Sequence, residues 1–544
     1  MLFFADGYFV ILTFIGLLTV CMAKENYDKR GKIVSVVIFI ISILLYGIPK
    51  FILWGGSMEE SLREWIDKSI KNNLDYIKEI LKDNSDIIYR EFTACNIKCA
   101  LIYIDGMADK VLLNDFILKP LMRRREIVLN DVDDLKDRLM AISDLSDQDN
   151  LHKMIIAMLS GDTMMLVDGY QSGFVIATRA WPNRGVSEPS GETVIRGSRE
   201  GFTETIRFNT ALVRRRIRDP KFRVKPMTLG VRSKSDVAIM YIDDIVNPGV
   251  LKATIEELQK IKLDAILDSG YIQSYLERNT LSPFPQVQST ERPDVVAAAL
   301  YEGRVAIIVD NSPFAIIVPA TLVNLFQSPD DYYQRSIYGS ITRFIRVIAV
   351  LLSVLLPAFY IAVTSFSPSI IPSKLAYSIA AAREGVPFPA FIEVVIMEVA
   401  MAILMEAVVR LPKPIGSTIG IVGGLIIGQA AVSAGIVSPI MVIIVGVTAV
   451  TSFITPSYEI TFGLRIIRFL LIALSTCLGL YGITIGILII LIHLVKLKSF
   501  TLSYLSPVVN SNLSDQKDVF VRLDWKYFWK RPKYMKTQDK IRQK

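Results

Sequence analysis

Ala100-Leu-Ile-Tyr-Ile-Asp105 and Ala238-Ile-Met-Tyr-Ile-Asp243 are one pattern written twice. Each is a short apolar run, rich in residues that suit a pleated backbone, and each ends on an Asp that can close a turn. A helical pattern follows both, over about 110–121 and about 250–261. A second unit also recurs. Met164-Met-Leu-Val-Asp-Gly169 turns into Gly173-Phe-Val-Ile-Ala177, and Val305-Ala-Ile-Ile-Val-Asp310 turns at Asn311-Ser312-Pro313 into Phe314-Ala-Ile-Ile-Val318. Apolar runs separated by Asp, Gly, Asn and Pro are what β-hairpins require. The repetition predicts two related α/β subdomains, at roughly 90–180 and 230–320. A cleft between such lobes is a natural ligand site, but duplicated lobes can also serve only to pack subunits. Residues 305–326 could be mistaken for a membrane span. Asp310, Asn311, Pro313 and Pro319 within that stretch favour the hairpin.

Outward from these units the chain changes character. Of its 544 residues 51% are hydrophobic and 21% charged, with a mean hydropathy of +0.41. The two classes are segregated: residues 57–335 read as a soluble protein, whereas 341–495 are dominated by apolar runs. The expected fold class is therefore a two-lobed soluble α/β domain with an internal repeat, plus an α-helical polytopic membrane domain. The expected division is a hydrophobic helical pair (1–56), an amphipathic linker helix (57–90), a first α/β subdomain with its connector (91–225) and a second (226–335). A helical membrane domain (336–497) and a basic cytoplasmic tail (498–544) complete it. The linker helix rests on the stripe Leu62, Trp65, Ile66, Ile70, Leu74, Ile77 and Leu81. Residues 2–22 and 33–54 are each long enough to cross a bilayer, and the loop between them holds Lys24, Lys29, Arg30 and Lys32.

The net charge of +8 is local, with twelve Lys/Arg against four Asp from residue 496 onward. A basic tail directly after a membrane segment stays in the cytoplasm and argues against a nucleic-acid partner. Four cysteines are present; Cys95 and Cys99 could pair, but no second Cys/His pair completes a zinc site. His152 and His493 are the only histidines. No phosphate loop, dinucleotide fingerprint, metal box or nucleophile elbow occurs in the soluble region. The expectation is a protein that is not an enzyme and has no cofactor and no metal.

Between the lobes lies Ile195-Arg-Gly-Ser-Arg-Glu-Gly-Phe-Thr-Glu204, then Arg214-Arg215-Arg216. Arg196, Arg199, Arg214 and Arg215 are candidate subunit contacts, pairing with acids; an anion-holding loop is the competing reading.

Several long words identify a family. Ser282-Pro-Phe-Pro-Gln-Val-Gln-Ser-Thr-Glu-Arg-Pro-Asp294 is similar to the strongest signature of the GerA family of spore germination proteins. Ser328-Pro-Asp-Asp-Tyr-Tyr-Gln-Arg335, Arg383-Glu-Gly-Val-Pro-Phe-Pro389, Leu411-Pro-Lys-Pro-Ile-Gly416 through Ile427-Gly-Gln-Ala-Ala431, and residues 195–216 also resemble it. The resemblance covers about 90–530. It implies a subunit of a nutrient sensor in the spore inner membrane, with soluble domain and C-terminal tail on the cytoplasmic (core) side. It implies a transporter-like B subunit and a lipoprotein C subunit as partners, self-association in a ring, contact with membrane lipid, and a ligand-gated channel releasing small cations. The family also includes stage V sporulation protein AF, which acts in ion release without being the primary sensor. A non-pore scaffold or amplifier is thus the alternative.

Five apolar stretches follow, at 341–363, 389–409, 415–434, 439–453 and 466–495, with an interfacial segment around Lys374 and Arg383. An odd number of crossings would put lobes and tail on opposite faces, so one stretch, with 389–409 the suspect, is expected not to cross fully. That stretch carries Glu393, Glu398 and Glu406, carboxylates too costly to face lipid. At ~100° per residue, Glu398 and Glu406 lie about 80° apart and Glu393 about 140° from Glu398, so they form no single stripe. A cation-attracting ring competes with pairing to Arg410, Arg465 or Arg468. In the next stretch Thr418, Val422 and Gln429, with Ile426 nearby, are candidate pore-lining residues. Its glycines favour tight helix packing.

Overall fold

The computed structural model describes residues 63–543, apart from 95, 124–143, 181–188, 190 and 510–512. The N-terminal hydrophobic pair and Cys95 therefore lie outside the described residues.

Lobe 1 runs α1 (Ile70–Ile80), β1 (Ile87–Ala94), β2 (Ile97–Ile104), α2, β3 (Leu145–Gln148), α3 (Leu151–Leu159), β4 (Thr163–Val167) and β5 (Gly173–Ile176). Helix α2 has turns at Lys110–Leu112 and Lys119–Arg123 joined by a π-helical Leu113–Leu118. Lobe 2 begins with α4 (Ile206–Arg214) and continues β6 (Phe222–Leu229), β7 (Ser235–Ile242), α5 (Pro248–Gln259), α6 (Ser269–Leu276), β8 (Gln288–Thr290), α7 (Pro293–Tyr301), β9 (Val305–Val309) and β10 (Ala315–Val318).

The two sheets have the same topology, β1-β2-β4-β5-β3 and β6-β7-β9-β10-β8, with antiparallel pairing. The registers correspond, Ala100 facing Leu166 as Ala238 faces Ile308. The repeated Asp does the same work twice: the Asp105 N–H donates to the Asp86 carbonyl at 2.7 Å and the Asp243 N–H to the Lys221 carbonyl at 3.0 Å. Both turns thereby fasten to the residue just before the neighbouring first strand. Residues 305–318 form the β9–β10 hairpin and not a membrane span.

Each sheet is covered on both faces. In lobe 1, α1 and α3 bury Leu74, Ile77, Met154 and Met158 on one face, while α2 buries Leu113, Ile117 and Leu121 on the other. In lobe 2, α4 and α7 cover one face and α5 and α6 the other. Apolar side chains of this size each contribute roughly 1.5–3 kcal/mol when buried. The helical stripe expected to form a linker is therefore the first element of lobe 1. It begins at Ile70, because residues 63–69 are non-helical and Asn73 ties down the entry by accepting from the Asp67 N–H at 2.9 Å. Helix α4 holds the same place in lobe 2, so the repeat starts on a helix. The boundary drawn at 225 cuts through β6.

Short helices α8 (Leu322–Phe326) and α9 (Asp330–Tyr333) lead into a helical bundle. It comprises α10 (Ser336–Phe366), α11 (Ser373–Arg383), α12 (Ala390–Arg410), α13 (Lys413–Ser433), α14 (Pro439–Ser452), α15 (Tyr458–Leu478) and α16 (Leu480–Lys496). The apolar stretch 466–495 is broken at Gly479, whose φ of +59° suits glycine. A Cβ there would lie 2.8 Å from the Phe366 ring. At Gly482 a Cβ would lie 2.0 Å from the Leu474 carbonyl, so α16 folds tightly back on α15.

Contacts give each helix a direction. Arg343 in the first turns of α10 bonds Asp331 next to lobe 2, and Phe366 at its far end meets Gly479. Glu393 at the start of α12 accepts from the Ser438 N–H that opens α14. The end of α14 returns to the start of α15 through Thr455 and Thr461, 2.6 Å apart. Thus α10, α13 and α15 run away from the lobes, and α12, α14 and α16 run towards them. The odd count of five stretches becomes an even six, and 389–409 need not be an exception.

The tail is also not a free basic segment. Its Tyr504 and Met535 are buried. The Gln538 and Asp539 N–H groups donate to the Ile245 and Asp244 carbonyls, and Arg531 donates to the Tyr301 carbonyl at 2.9 Å. It forms a strap along lobe 2.

Candidate functional site

Three of the sequence words that carry the family resemblance meet in one place. Arg292, buried, donates to the Asp294 carboxylate at 2.7 Å and to the Ser198 carbonyl at 2.9 Å. Tyr333 donates to Asp294 at 2.7 Å, and its ring fills the space beside Gly197, where a Cβ would lie 2.6 Å away. Asp330 accepts from the Ile195 and Arg196 N–H groups. Burial, then the Asp294 carboxylate, pushes the Tyr333 hydroxyl up from its usual range, which keeps it a donor. Nearby, Glu192 accepts from Thr290 at 2.6 Å, and burial raises its carboxyl to about 7.

The same words fasten lobe 2 to the bundle. Phe284, from the loop between α6 and β8, packs into the bundle core and stacks on His493 at 6.1 Å between ring centres. Ser282 Oγ lies 2.8 Å from His493 Nε2. The Pro283 carbonyl sits so close to α15 that a Cβ on Gly463 would be 2.0 Å away. Gln273 donates to Glu459 at 2.9 Å, and Ser499 bridges the Gln286 carbonyl and the Ala320 N–H. At the other edge, buried Asp331 accepts from Arg343 at 3.1 Å and Arg346 at 3.0 Å, while Asp518 accepts from Arg343 and from Tyr332 at 2.7 Å each. These side chains come from lobe 2, the segment leaving it, the bundle and the strap; their long sequence separations hid the cluster.

The candidate subunit-contact arginines divide. Arg214 is fully buried and holds the lobes together, donating to Asp86 at 2.5 and 3.0 Å and to Asn84 at 2.9 Å, so it cannot reach another subunit. Arg215 and Arg216 both pair with Glu200 inside the chain. Arg196 and Arg199 are exposed. Between the lobes lies a cleft of about 240 Å³ lined by Asp86, Asp105, Asp236, Arg207 and Thr210 among others.

The three candidate carboxylates of α12 are each paired with an arginine. Glu393, fully buried, meets Arg383 at 3.2 Å, and Glu398 meets Arg468 at 2.8 Å, with Arg468 also donating to the Ser353 carbonyl. Glu406 pairs with Arg410 at 2.6 Å on the surface. Two carboxylates that are buried and neutralised do not present an open cation ring. On α13, Gly420 and Gly423 face Val408 and Leu404 of α12, and Gly428 faces Val442 of α14. Ile426 and Gln429 remain exposed; Thr418 and Val422 lie outside the described side chains. Among the described residues, no group of three or more His, Cys, Asp or Glu could hold a metal ion.

A duplicated α/β domain bolted onto one end of an alternating bundle of apolar helices defines a two-part protein. The chain belongs to the GerA family: the model described as Bacillus/Clostridium GerA spore germination protein matches residues 75–534. Spore germination protein GerLA of Bacillus cereus is 42% identical over 468 residues, 85% of this chain and 95% of that one. Stage V sporulation protein AF of Bacillus subtilis is 30% identical over 491 residues, 89% of this chain and 98% of that one. The crystal structure of the N-terminal domain of the A subunit of the Bacillus megaterium spore germinant receptor GerK3 matches with 32% identity and a TM-score of 0.37, over 48% of this chain and 99% of that one.

Proposed function

We propose that the chain is the A subunit of a nutrient germinant receptor, set in the spore inner membrane with lobes and strap on the cytoplasmic (core) side. In this reading a transporter-like B subunit binds the nutrient, a lipoprotein C subunit completes the complex, and A subunits form a ring that releases small cations. One observation carries the reading: six helices alternate in direction, with lobe 2 and the C-terminal strap both fastened to the same end. Among the described residues, α10 and α15 are long and apolar enough to cross a bilayer. An even number of passes returns the chain to the face it left, and the basic strap favours the cytoplasm. The glycines of α13 are spent on packing within the subunit, which leaves Ile426 and Gln429 for a neighbouring copy or a lumen.

The test is potassium efflux from dormant spores carrying Val422→Ala, Ile426→Ala or Gln429→Ala, with no nutrient added. Spontaneous leak at normal protein level is the expected result. Tight spores with a normal nutrient response would move the conduit off α13 and favour a scaffold or amplifier role.

A further inference from the structure

We propose that residues 520–530 of the strap are a membrane-interface anchor that holds anionic phospholipid headgroups, an inference that rests on α10 being a spanning helix. Phe520, Val521, Tyr527 and Trp529 are 59%, 57%, 48% and 62% exposed. Lys526 and Lys530, also exposed, stand among them. A strap whose role ended at lobe 2 would turn such side chains inward.

The anchor's depth is fixed by α10. The Arg522 N–H donates to Ser340 Oγ at 3.0 Å, and that hydroxyl donates to the Arg522 carbonyl at 3.3 Å. The buried Arg522 guanidinium donates to the Gln334 and Tyr332 carbonyls at 2.8 and 3.2 Å, and Trp525 lies 5.8 Å from the Tyr332 ring. At ~1.5 Å per residue, the part of α10 from Val347 to Phe366 is ~30 Å long, the thickness of a hydrocarbon core. Ser340 then lies ~10 Å outside that core, at the outer edge of the headgroup layer. Ile341 and Phe344 of α10, both exposed and on the core side of Ser340, carry apolar surface onward towards the hydrocarbon. Trp, Tyr and Lys are the residues that settle at this level, and each lysine near an anionic surface strengthens attraction about fivefold. Lys526 and Lys530 outnumber Asp524, the exposed acid of the same stretch, so the patch is net positive and suits lipid phosphate.

The experiment uses the full chain with native cysteines replaced, spin-labelled at Val521→Cys or, as control, at Leu351→Cys on the exposed flank of α10. Vesicles of phosphatidylcholine with or without phosphatidylglycerol are compared by oxygen and nickel-chelate relaxation. The Leu351 label should read hydrocarbon depth in both. The Val521 label should read headgroup depth, with nickel access falling severalfold when phosphatidylglycerol is present and no such fall in Lys526→Glu/Lys530→Glu. A Val521 label as open to nickel as one on Lys260 would overturn the anchor while leaving the span intact. A Leu351 label in water would sink the spanning reading itself. Shielding of Val521 that is equal in detergent micelles and lipid, and indifferent to phosphatidylglycerol, would assign the surface to a second copy and overturn the proposal.

Discussion

Lobe 1 and lobe 2 share a topology, strand for strand, yet among the described residues only lobe 2 is mounted on the bundle. The wedge at Pro283 and Phe284, the Asp331 cluster and the strap all engage lobe 2 or the segment leaving it. Lobe 1 is fastened to lobe 2 mainly through α4, by Arg214 and Arg207, and by the strand-like pairing of Ser85 and Asn84 with Val224. Duplication thus supplied two copies of one sandwich, and side chains outside the repeated pattern gave them different mechanical roles. Lobe 2 can transmit force to the helices. Among the described residues, lobe 1 reaches the helices through lobe 2.

The sharpest way to break this difference is to remove the mount. Asp331→Ala leaves Arg343 and Arg346 buried without their shared carboxylate. Breaking such a pair costs ~3–5 kcal/mol; the full-length protein should lose thermal stability in detergent and fall in abundance in spore membranes. Gly463→Ala places a methyl group against the Pro283 backbone, which cannot retreat as a side chain would. Overpacking of this kind costs about 3 kcal/mol, and proteolysis should release lobe 2 from the bundle while both remain folded.

The inter-lobe joint is the next test. Arg214→Met leaves Asp86 buried and unpaired, at about 3 kcal/mol. Limited proteolysis should now free lobe 1, with lobe 2 still bound to the bundle. Adding Asp86→Asn should restore at least half of the loss, because the penalty lies in the orphaned charge. Release of lobe 2 instead would reverse the assigned roles.

A pH series separates the lobes more gently. Burial raises Glu192, on the lobe 2 side, from 4.5 to about 7. Between those values the folded state holds a proton that the unfolded chain releases. The stabilisation is full below pH 4.5 and lost as pH rises towards 7. Glu192→Gln should flatten the fall in lobe 2 stability across that window, measured by hydrogen exchange in β8 and α7, and leave lobe 1 unchanged.

Much of this architecture was legible. Tyr-Ile-Asp at both strand ends and the two Asp/Gly- and Asn/Pro-punctuated hairpins marked the repeat correctly, because buried strands and their turns are written locally. The first strands were not: β1 and β6 read Ile-Ile-Tyr-Arg-Glu-Phe-Thr-Ala and Phe-Arg-Val-Lys-Pro-Met-Thr-Leu. They are edge strands, where charge and Pro226 are tolerated, so they lack the apolar signal. Gly479 was invisible as a break because glycine inside an apolar run also serves close helix packing. The site was the least legible part. Its words could be recognised, but no local pattern says that Asp294, Tyr333 and Gly197 touch. Likewise nothing near Glu398 in sequence names Arg468 over the other arginines.

The smallest expected effect tests whether burial, and not arginine as such, makes the inter-lobe joint. Arg207 and Arg214 lie on the same helix, and both reach an Asp of lobe 1: Arg207 meets Asp105 at 2.8 Å, Arg214 meets Asp86 at 2.5 Å. Arg207 is 66% exposed and Arg214 is 0% exposed. Asp105 also retains Lys110 at 2.7 Å, so losing Arg207 does not strand it. Exposed pairs of this kind contribute roughly 0–1 kcal/mol and are screened by salt. Arg207→Ala should therefore shift unfolding by less than about 1 kcal/mol, and raising ionic strength should erase even that, whereas the loss in Arg214→Met should persist in salt. Equal losses in the two variants would mean that the lobes are held by charge across the open cleft, and that the buried clasp adds little.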